Sequence, residues 1–218
     1  MIIGALADIH GNFDAMTRAI ERHPDVAHWI CVGDIANRAG EYPEPPAPIY
    51  WIKGNNENFD RIAEWEAGVP QPRNLHYIRN GTSVDVASTR VAGVGGTFAP
   101  TWFHTPAADL PHTRSSDDKR RHFVRDEVLL CKALKNIDLF MTHEAPRPFY
   151  PAGRRIDAGK TVLNDVLAAM KPRLHLFGHH HEFTDSMRQG VRSIGLDVVT
   201  KSYLLINEET FKTERLDT

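Results

Sequence analysis

The sequence predicts an α/β (α+β) fold, with mixed β-sheets flanked by helices and residues 1–218 forming a single domain. Three observations carry this expectation. Short apolar runs alternate with amphipathic helical stretches early in the chain. Period-two pieces joined by turn signals dominate later, so that sheets with helices outside them are the consistent architecture. A chain of 218 residues with 41% hydrophobic content is enough for one sizeable core.

The elements follow in order. Ile2–Ala7 is an apolar run that reads as a buried strand, ending in Asp8-Ile9-His10-Gly11-Asn12. Asn12 or Asp14 is expected to cap a helix over Phe13–Arg22, whose Ala15, Met16, Ala19 and Ile20 share one face, and Pro24 stops it. Ala27–Val32 is the second strand, closed by Gly33-Asp34. The loop Tyr42–Pro48 is too rich in proline for a helix or a central strand. Ile49–Lys53 is a third strand and Phe59–Ala67 a short helix. Leu75–Arg79, Thr82–Val86 and Arg90–Gly95 are strand-like, with Asn80-Gly81 and Gly95-Gly96 as turn signals. Residues 97–116 form the longest irregular stretch, with Trp102, Phe103, His104 and His112 among prolines. A long ordered loop of this kind is often functional. Asp117–Lys135 reads as a charged amphipathic helix with Phe123, Val128, Leu129, Leu130 and Leu134 on its apolar side. Ile137–Met141 is a strand, Lys160–Met170 a helix stopped by Pro172, and Leu174–Phe177 a buried strand. Phe183–Arg188, Val191–Ile194 and Tyr203–Ile206 are further strands, and the polar tail from Asn207 is expected to fray.

Composition excludes several classes. The net charge of −2 provides no broad basic face, so duplex nucleic acid is not an expected partner. Cys31 and Cys131 lie far apart, form no CxxC and sit in apolar neighbourhoods, which suits buried thiols in a reducing compartment. Met1 leads directly into a strand. Without a basic leader, a long apolar leader segment or a spanning segment, a cytoplasmic protein with no membrane partner is expected.

The chemistry lies at the strand ends. Leu174–Phe177 stops at Gly178, and His179, His180 and His181 follow at once. Four other apolar runs end in metal-competent side chains: Asp8 with His10, Asp34, Asn55, and His143. Singly, each has an ordinary reading as a helix cap, a turn residue or a core histidine. Together, at five strand ends, they point to a metal site, since sites in open α/β sheets form beyond the carboxyl ends of the strands. Oxygen and imidazole ligands suit Mn, Fe, Zn or Ni rather than a thiolate zinc site, and the number of ligands suits two ions sharing a carboxylate.

In these motifs the chain resembles the calcineurin-like metallophosphoesterase superfamily. The pattern D-x-H, G-D, G-N-H-D/E, a lone His and G-H-x-H is met by Asp8-Ile9-His10, Gly33-Asp34, Gly54-Asn55-Asn56-Glu57, His143 and Gly178-His179-His180-His181. The resemblance implies a four-layer α/β/β/α sandwich. It implies one metal on Asp8, His10 and His181, another on Asn55, His143 and His179, and Asp34 bridging them. Gly33–Ala39 is also similar to the GDxVDRG motif of the phosphoprotein phosphatase branch, in which the arginine grips phosphate, so this resemblance implies that role for Arg38. Asn37 and Ala39 depart from the motif.

The main departure is Asn56, which stands where the family usually has the histidine that protonates the leaving oxygen. An amide can donate a hydrogen bond but has no acidic proton to give near pH 7. The resemblance therefore implies a phosphoesterase using two divalent ions (Mn2+, Fe2+/Fe3+, Zn2+ or Ni2+) and a hydroxide bridging them. A phosphodiesterase preference is expected, with a small phosphoester such as a nucleotide or cyclic nucleotide as substrate. His180, His104 or His112 are alternative proton donors. A phosphomonoesterase acting on phosphoprotein or a nucleotide, and a non-catalytic scaffold on the same fold, are the competing readings.

Overall fold

The computed structural model describes residues 1–113 and 117–218. β1 (Ile2–Leu6), α1 (Phe13–Glu21), β2 (His28–Cys31), β3 (Ile49–Trp51), α2 (Phe59–Glu66) and β4 (Leu75–Tyr77) build most of one layer pair. β5 (Ser83–Val86), β6 (Thr89–Val94), α3 (Arg125–Ala133), β7 (Leu139–Thr142), α4 (Thr161–Met170), β8 (Leu174–Phe177), β9 (Thr184–Arg188) and β10 (Val191–Gly195) build the second. β11 (Ser202–Asn207) and β12 (Thr213–Asp217) return to the first. The two six-stranded sheets run β12-β11-β1-β2-β3-β4 and β5-β6-β7-β8-β10-β9. β1 to β4 are mutually parallel, as are β6, β7, β8 and β10, while β11, β12, β5 and β9 pair antiparallel at the edges.

Strand alternation sorts the core into three layers. Ile3, Ala5, Ile30 and Val32 face Leu139, Met141, Leu174 and Leu176 between the sheets. Residues of the opposite strand parity, Leu6, Trp29 and Cys31, face α1 and α2 with Met16, Ile20 and Ile62. On the other side Ala92, Val94 and Phe140 pack against Val128, Leu163 and Leu167 of α3 and α4. The result is the four-layer α/β/β/α sandwich, because each sheet carries apolar side chains on both faces and needs a cover on each. Cys31 and Cys131 are free, buried thiols, as expected. No helix among the described residues is long and apolar enough to cross a membrane.

Three expectations need correction. The helix expected over Asp117–Lys135 is confined to Arg125–Ala133, preceded by a 3-10 turn at Lys119–Arg121. Thr97 donates to the Arg121 carbonyl at 2.9 Å and Phe123 donates to the Thr97 carbonyl at 3.1 Å. This bridge to Thr97 holds His122 extended directly after the 3-10 turn, which a continuous helix cannot accommodate. Leu129 and Leu130, expected on the buried side, are 45% and 56% exposed. The tail does not fray: β12 pairs with β11 along Thr213–Asp217, and Arg22 Nη1 donates to the Asp217 carbonyl at 3.0 Å. Asn12 occupies the cap position of α1, but its side chain donates to the Ile9 carbonyl at 2.8 Å instead of accepting a helix N–H. The loop 97–116 is irregular apart from a 3-10 turn at Ala107–Asp109, and its last three residues, 114–116, lie outside the described residues.

Candidate metal centre

Parallel strands bring their carboxyl ends to one edge, so the residues after β1, β2 and β3 emerge side by side, as do those after β7 and β8. The loops are then tied together. His10 N–H donates to the Asp34 carbonyl at 2.7 Å, Gly11 N–H to the Ile35 carbonyl at 3.2 Å, and Gly178 N–H to the His143 carbonyl at 3.1 Å. Two glycines allow this crowding. A Cβ on Gly33 (φ +106°) would lie 2.7 Å from Gly54 N and 2.8 Å from His143 Nδ1, and one on Gly54 would lie 1.9 Å from Asp34 Oδ1.

Asp8, His10 and His181 form one group of potential ligand atoms, and Asp8, Asp34 and His143 a second. Asp8 thus stands in both, where the sequence placed it only with His10 and His181. His10 Nε2 lies 3.1 Å from His181 Nε2, 3.8 Å from Asp8 Oδ1 and 3.6 Å from Asp34 Oδ2. His181 Nε2 is 3.5 Å from Asp8 Oδ1. His143 Nδ1 donates to the Val32 carbonyl at 2.8 Å, and its Nε2 faces Asn55 Oδ1 at 3.0 Å and Asp34 Oδ2 at 3.5 Å. His179 donates its backbone N–H to both Asp8 oxygens at 3.2 and 3.0 Å and presents its ring edge-on to His143, centroids 5.0 Å apart. All seven expected ligands therefore lie at one place, with the His179 ring outside both groups.

The electrostatics call for positive charge. Asp8 and Asp34 are 0% and 1% exposed. Burial opposes the charge on Asp34, but His143, two donors from Asn56 and His10 outweigh it and hold the carboxyl below its ordinary range. Burial likewise opposes a proton on His143, and Asp34 and Asp8 reverse the balance and raise its pKa. His181 is also raised, first by its contact with Asp8. Burial, then His143 and His180, push His179 down to about 3.

This donor set fits divalent cations. With Nδ1–H of His143 committed to a carbonyl, its Nε2 is left facing two oxygens. The carboxylate can only accept, and so can the Asn55 carbonyl oxygen. Likewise only one of two imidazole nitrogens 3.1 Å apart can donate to the other. Lone pairs converging on lone pairs are relieved by extra protons or by metal ions, and this mixture of carboxylate, amide oxygen and imidazole is a common set for the latter.

The remaining expected residues occupy the rim. The Asn56 side chain is exposed, and its Nδ2 donates to Asp34 Oδ2 at 2.7 Å while its backbone N–H donates to Oδ1 at 2.7 Å. Arg38 is exposed, lines the clefts beside Asn56 and His10, and has no partner for its guanidinium among the described residues. His180 stacks on Phe149 at 4.5 Å, its Nε2 is buried without a partner, and burial followed by Lys160 pushes its pKa down to about 4. It is therefore neutral at pH 7 and does not offer an imidazolium proton. His104 and His112 are exposed and line none of the clefts beside the centre.

Two supporting carboxylates escaped the sequence reading in whole or part. Glu57 accepts from the N–H groups of Ile35, Ala36 and Gly54 at 3.0, 3.3 and 3.3 Å and from the Tyr42 hydroxyl at 2.9 Å. It clamps the turns carrying Asp34 and Asn55, and burial followed by Asp34 raises its pKa to about 7. Glu144, beside His143, is 4% exposed, accepts from Phe98 N–H at 2.5 Å and pairs with Lys160 at 3.3 Å. Only its adjacency to His143 could have drawn attention to it.

Comparison with known proteins bears on the family and the fold. The sequence profile of the calcineurin-like phosphoesterase family matches residues 1–183. An uncharacterised protein of Haemophilus influenzae is 30% identical over 200 residues, covering 80% of this chain and 81% of that one. A lariat debranching enzyme of Schizosaccharomyces pombe is 26% identical over 197 residues, and the match spans 81% of this chain but only 42% of the relative. The crystal structure of the protein TT1561 of Thermus thermophilus superposes with a TM-score of 0.67 at 15% identity, covering 99% of this chain and 98% of that one. The profile match over residues 1–183, together with the four-layer fold, places this protein in the calcineurin-like phosphoesterase family.

Proposed function

We propose that the chain acts as a single-domain metal-dependent phosphoesterase that hydrolyses phosphodiesters in preference to monoesters. The observation that carries this is the meeting of two buried carboxylates with imidazole nitrogens whose neighbours are each other or hydrogen-bond acceptors. Two divalent cations would be held there, one by Asp8, His10 and His181, the other by Asn55, His143 and His179, with Asp34 between them. When bound, such ions supply Lewis acidity toward a phosphoryl oxygen and lower the pKa of a coordinated water.

The chain's own groups set the substrate class. One Asn56 N–H holds Asp34 Oδ2, and the second amide hydrogen remains for a phosphoryl oxygen. Arg38, unpaired at the rim, adds a planar fork suited to the same anion. Hydrolysis joins the water oxygen to phosphorus and breaks the bond to the ester oxygen, which leaves needing a proton. Asn56 cannot give one, and His180 is neutral. Aryl diesters and strained cyclic phosphates, whose oxygens leave readily, are therefore favoured over alkyl monoesters, because a general acid is typically worth about 10²- to 10⁴-fold.

The test compares bis-p-nitrophenyl phosphate with p-nitrophenyl phosphate in Mn2+ and again in EDTA. Hydrolysis of the diester that EDTA abolishes is expected. Activity indifferent to EDTA, or a preference for the monoester, would overturn the proposal. Lariats belong in the wider panel, since the name of a relative includes them.

A further inference from the structure

Three clefts border the metal centre; one, of about 400 Å3 beside Asn55 and Asn56, is smaller than the other two. Of the larger two, the first, about 680 Å3, is bordered by His10, Asn56 and Arg38. The second, about 710 Å3, lies against His179, His180 and His181 and is bordered by Arg154, Lys201 and Arg215. Each is large enough for a nucleotide-sized group, since ligand pockets span roughly 300–1,000 Å3. An isolated diester phosphate needs only the metal centre and the first cleft. The second has no use in that reaction.

Its construction is specific. Arg154 sits on a turn in which its N–H donates to the Pro151 carbonyl at 2.9 Å. That turn is fastened to the ligand segment, since Ala152 N–H donates to Glu182 Oε2 at 2.7 Å and Phe149 stacks on His180. The exposed Arg154 guanidinium has no partner among the described residues. Lys201 and Arg215 share one carboxylate, Asp197, at 3.2 and 3.9 Å. The guanidinium of Arg215 also lies over the Phe183 ring at 4.5 Å, which steadies a flat cationic surface. Three cations thus face two carboxylates, Asp197 and Glu182, and the excess positive charge resides on Arg154.

An unpaired arginine therefore stands on each flank of the centre, Arg38 in one cleft and Arg154 in the other. A guanidinium fork matches a phosphate better than any other common anion partner except a carboxylate. A chain of phosphates with the scissile one in the middle satisfies both arginines, and a planar base can stack on the Arg215 guanidinium. We propose that the second cleft binds the neighbouring phosphate and base of a single-stranded oligonucleotide, with Arg154 as the phosphate contact. This rests on the phosphodiesterase reading above.

The test has a binding arm independent of turnover. Fluorescein-labelled octathymidylate is titrated with the full chain in EDTA at low ionic strength and followed by anisotropy. Arg154→Ala is expected to weaken binding about five- to tenfold, the loss of one charge-assisted phosphate contact. Arg155→Ala removes the same charge from an exposed position that does not line the cleft, and is expected to change binding less than twofold. In Mn2+, Arg154→Ala should also lower the ratio of kcat/KM for the oligonucleotide to that for bis-p-nitrophenyl phosphate. Failure of the wild type to bind, equal binding by wild type and Arg154→Ala, or an equal loss in Arg155→Ala overturns the proposal. A wild type that binds the oligonucleotide through Arg154 but hydrolyses no diester would instead overturn the phosphoesterase reading and leave the cleft assigned.

Discussion

Acidification should destabilise the fold through His175, a buried histidine that takes no part in the metal centre. It lies in β8, 0% exposed, between Thr142 Oγ1 at 2.9 Å and Ser193 Oγ at 3.1 Å. Thr142 Oγ1 donates to the Glu144 carbonyl at 2.6 Å, so it accepts from His175 Nε2–H. Nδ1 is then the bare nitrogen, and the Ser193 hydroxyl lies 3.1 Å from it and 3.4 Å from the Val191 carbonyl, its other acceptor. Burial, followed by Arg188, pushes the pKa of the ring from 6.5 down to about 3. The unfolded chain, titrating near 6.5, takes up a proton through this range that the folded chain refuses. Stability from this group is therefore complete above about pH 6.5 and falls as the pH drops toward 3. One proton changes stability by about 1.4 kcal/mol per pH unit, so about 2 kcal/mol is lost between pH 8 and pH 5. His179 and His180 shift in the same direction, so the wild-type pH profile alone does not isolate the effect. His175→Gln does, because its amide keeps a donor toward Thr142 and does not titrate. Urea unfolding followed through the buried Trp29 and Trp51 gives both stabilities at each pH. The stability advantage of the wild type should shrink by about 2 kcal/mol from pH 8 to pH 5. A difference that stays constant with pH would refute the assignment of a neutral, fully bonded ring.

Other outcomes test the centre itself. Asp34→Ala, and separately His181→Ala, should abolish both metal content measured elementally and diester hydrolysis, and full hydrolysis in either would remove the two-metal account. Asn56→His should raise turnover of alkyl monoesters relative to diesters, by up to about 10²-fold if the imidazole serves as acid, and an unchanged ratio at intact metal content would show that this position does not select substrate. Gly54→Ala should displace the Gly33-Asp34 turn and lose metal, because the new Cβ would fall 1.9 Å from Asp34 Oδ1 and 2.5 Å from the Asp34 backbone N, while the rest of the fold is retained. Circular dichroism beside metal analysis separates the two effects.

The parts of the fold legible in the sequence were those where local pattern and tertiary role coincide. The runs at Ile2–Leu6 and Leu174–Phe177 are buried strands because both of their faces are covered, and an uninterrupted apolar run announces that. The misreadings arose where distant pairing overrode local preference. Asp117–Lys135 reads as one helix, but the bridge from Thr97 holds His122 extended between the 3-10 turn and α3. The tail after Asn207 is polar because β12 is an edge strand, and in sequence the polarity of an edge strand is the same as that of a frayed end. The candidate ligands are legible because a chemically distinctive side chain follows each strand. Glu57 is legible as a residue that orients its turn, but its partners across the Asp34 loop are not, and neither are the roles of Glu144 and the Val32 carbonyl, which depend on which loops meet.

The backbone gives an independent reason to regard the centre as built for a purpose. Asp8, His10, Asp34, His179 and His181 all adopt positive φ, between 47° and 69°. Holding a non-glycine residue there costs on the order of 1–2 kcal/mol each. Glycine would remove that cost at every one of these positions and is used freely at adjacent ones, Gly11 and Gly33. Five strained residues so close together would be a poor arrangement for a scaffold that merely needed turns. The cost is intelligible if the side chains are wanted in these directions, and the directions they take converge on one another rather than on solvent or the core. A decayed site on the same fold would have no reason to retain this conformation. Replacing His10 by Gly should therefore stabilise the metal-free chain in urea unfolding while abolishing metal uptake, the opposite signs expected when backbone strain and ligand chemistry compete at one residue.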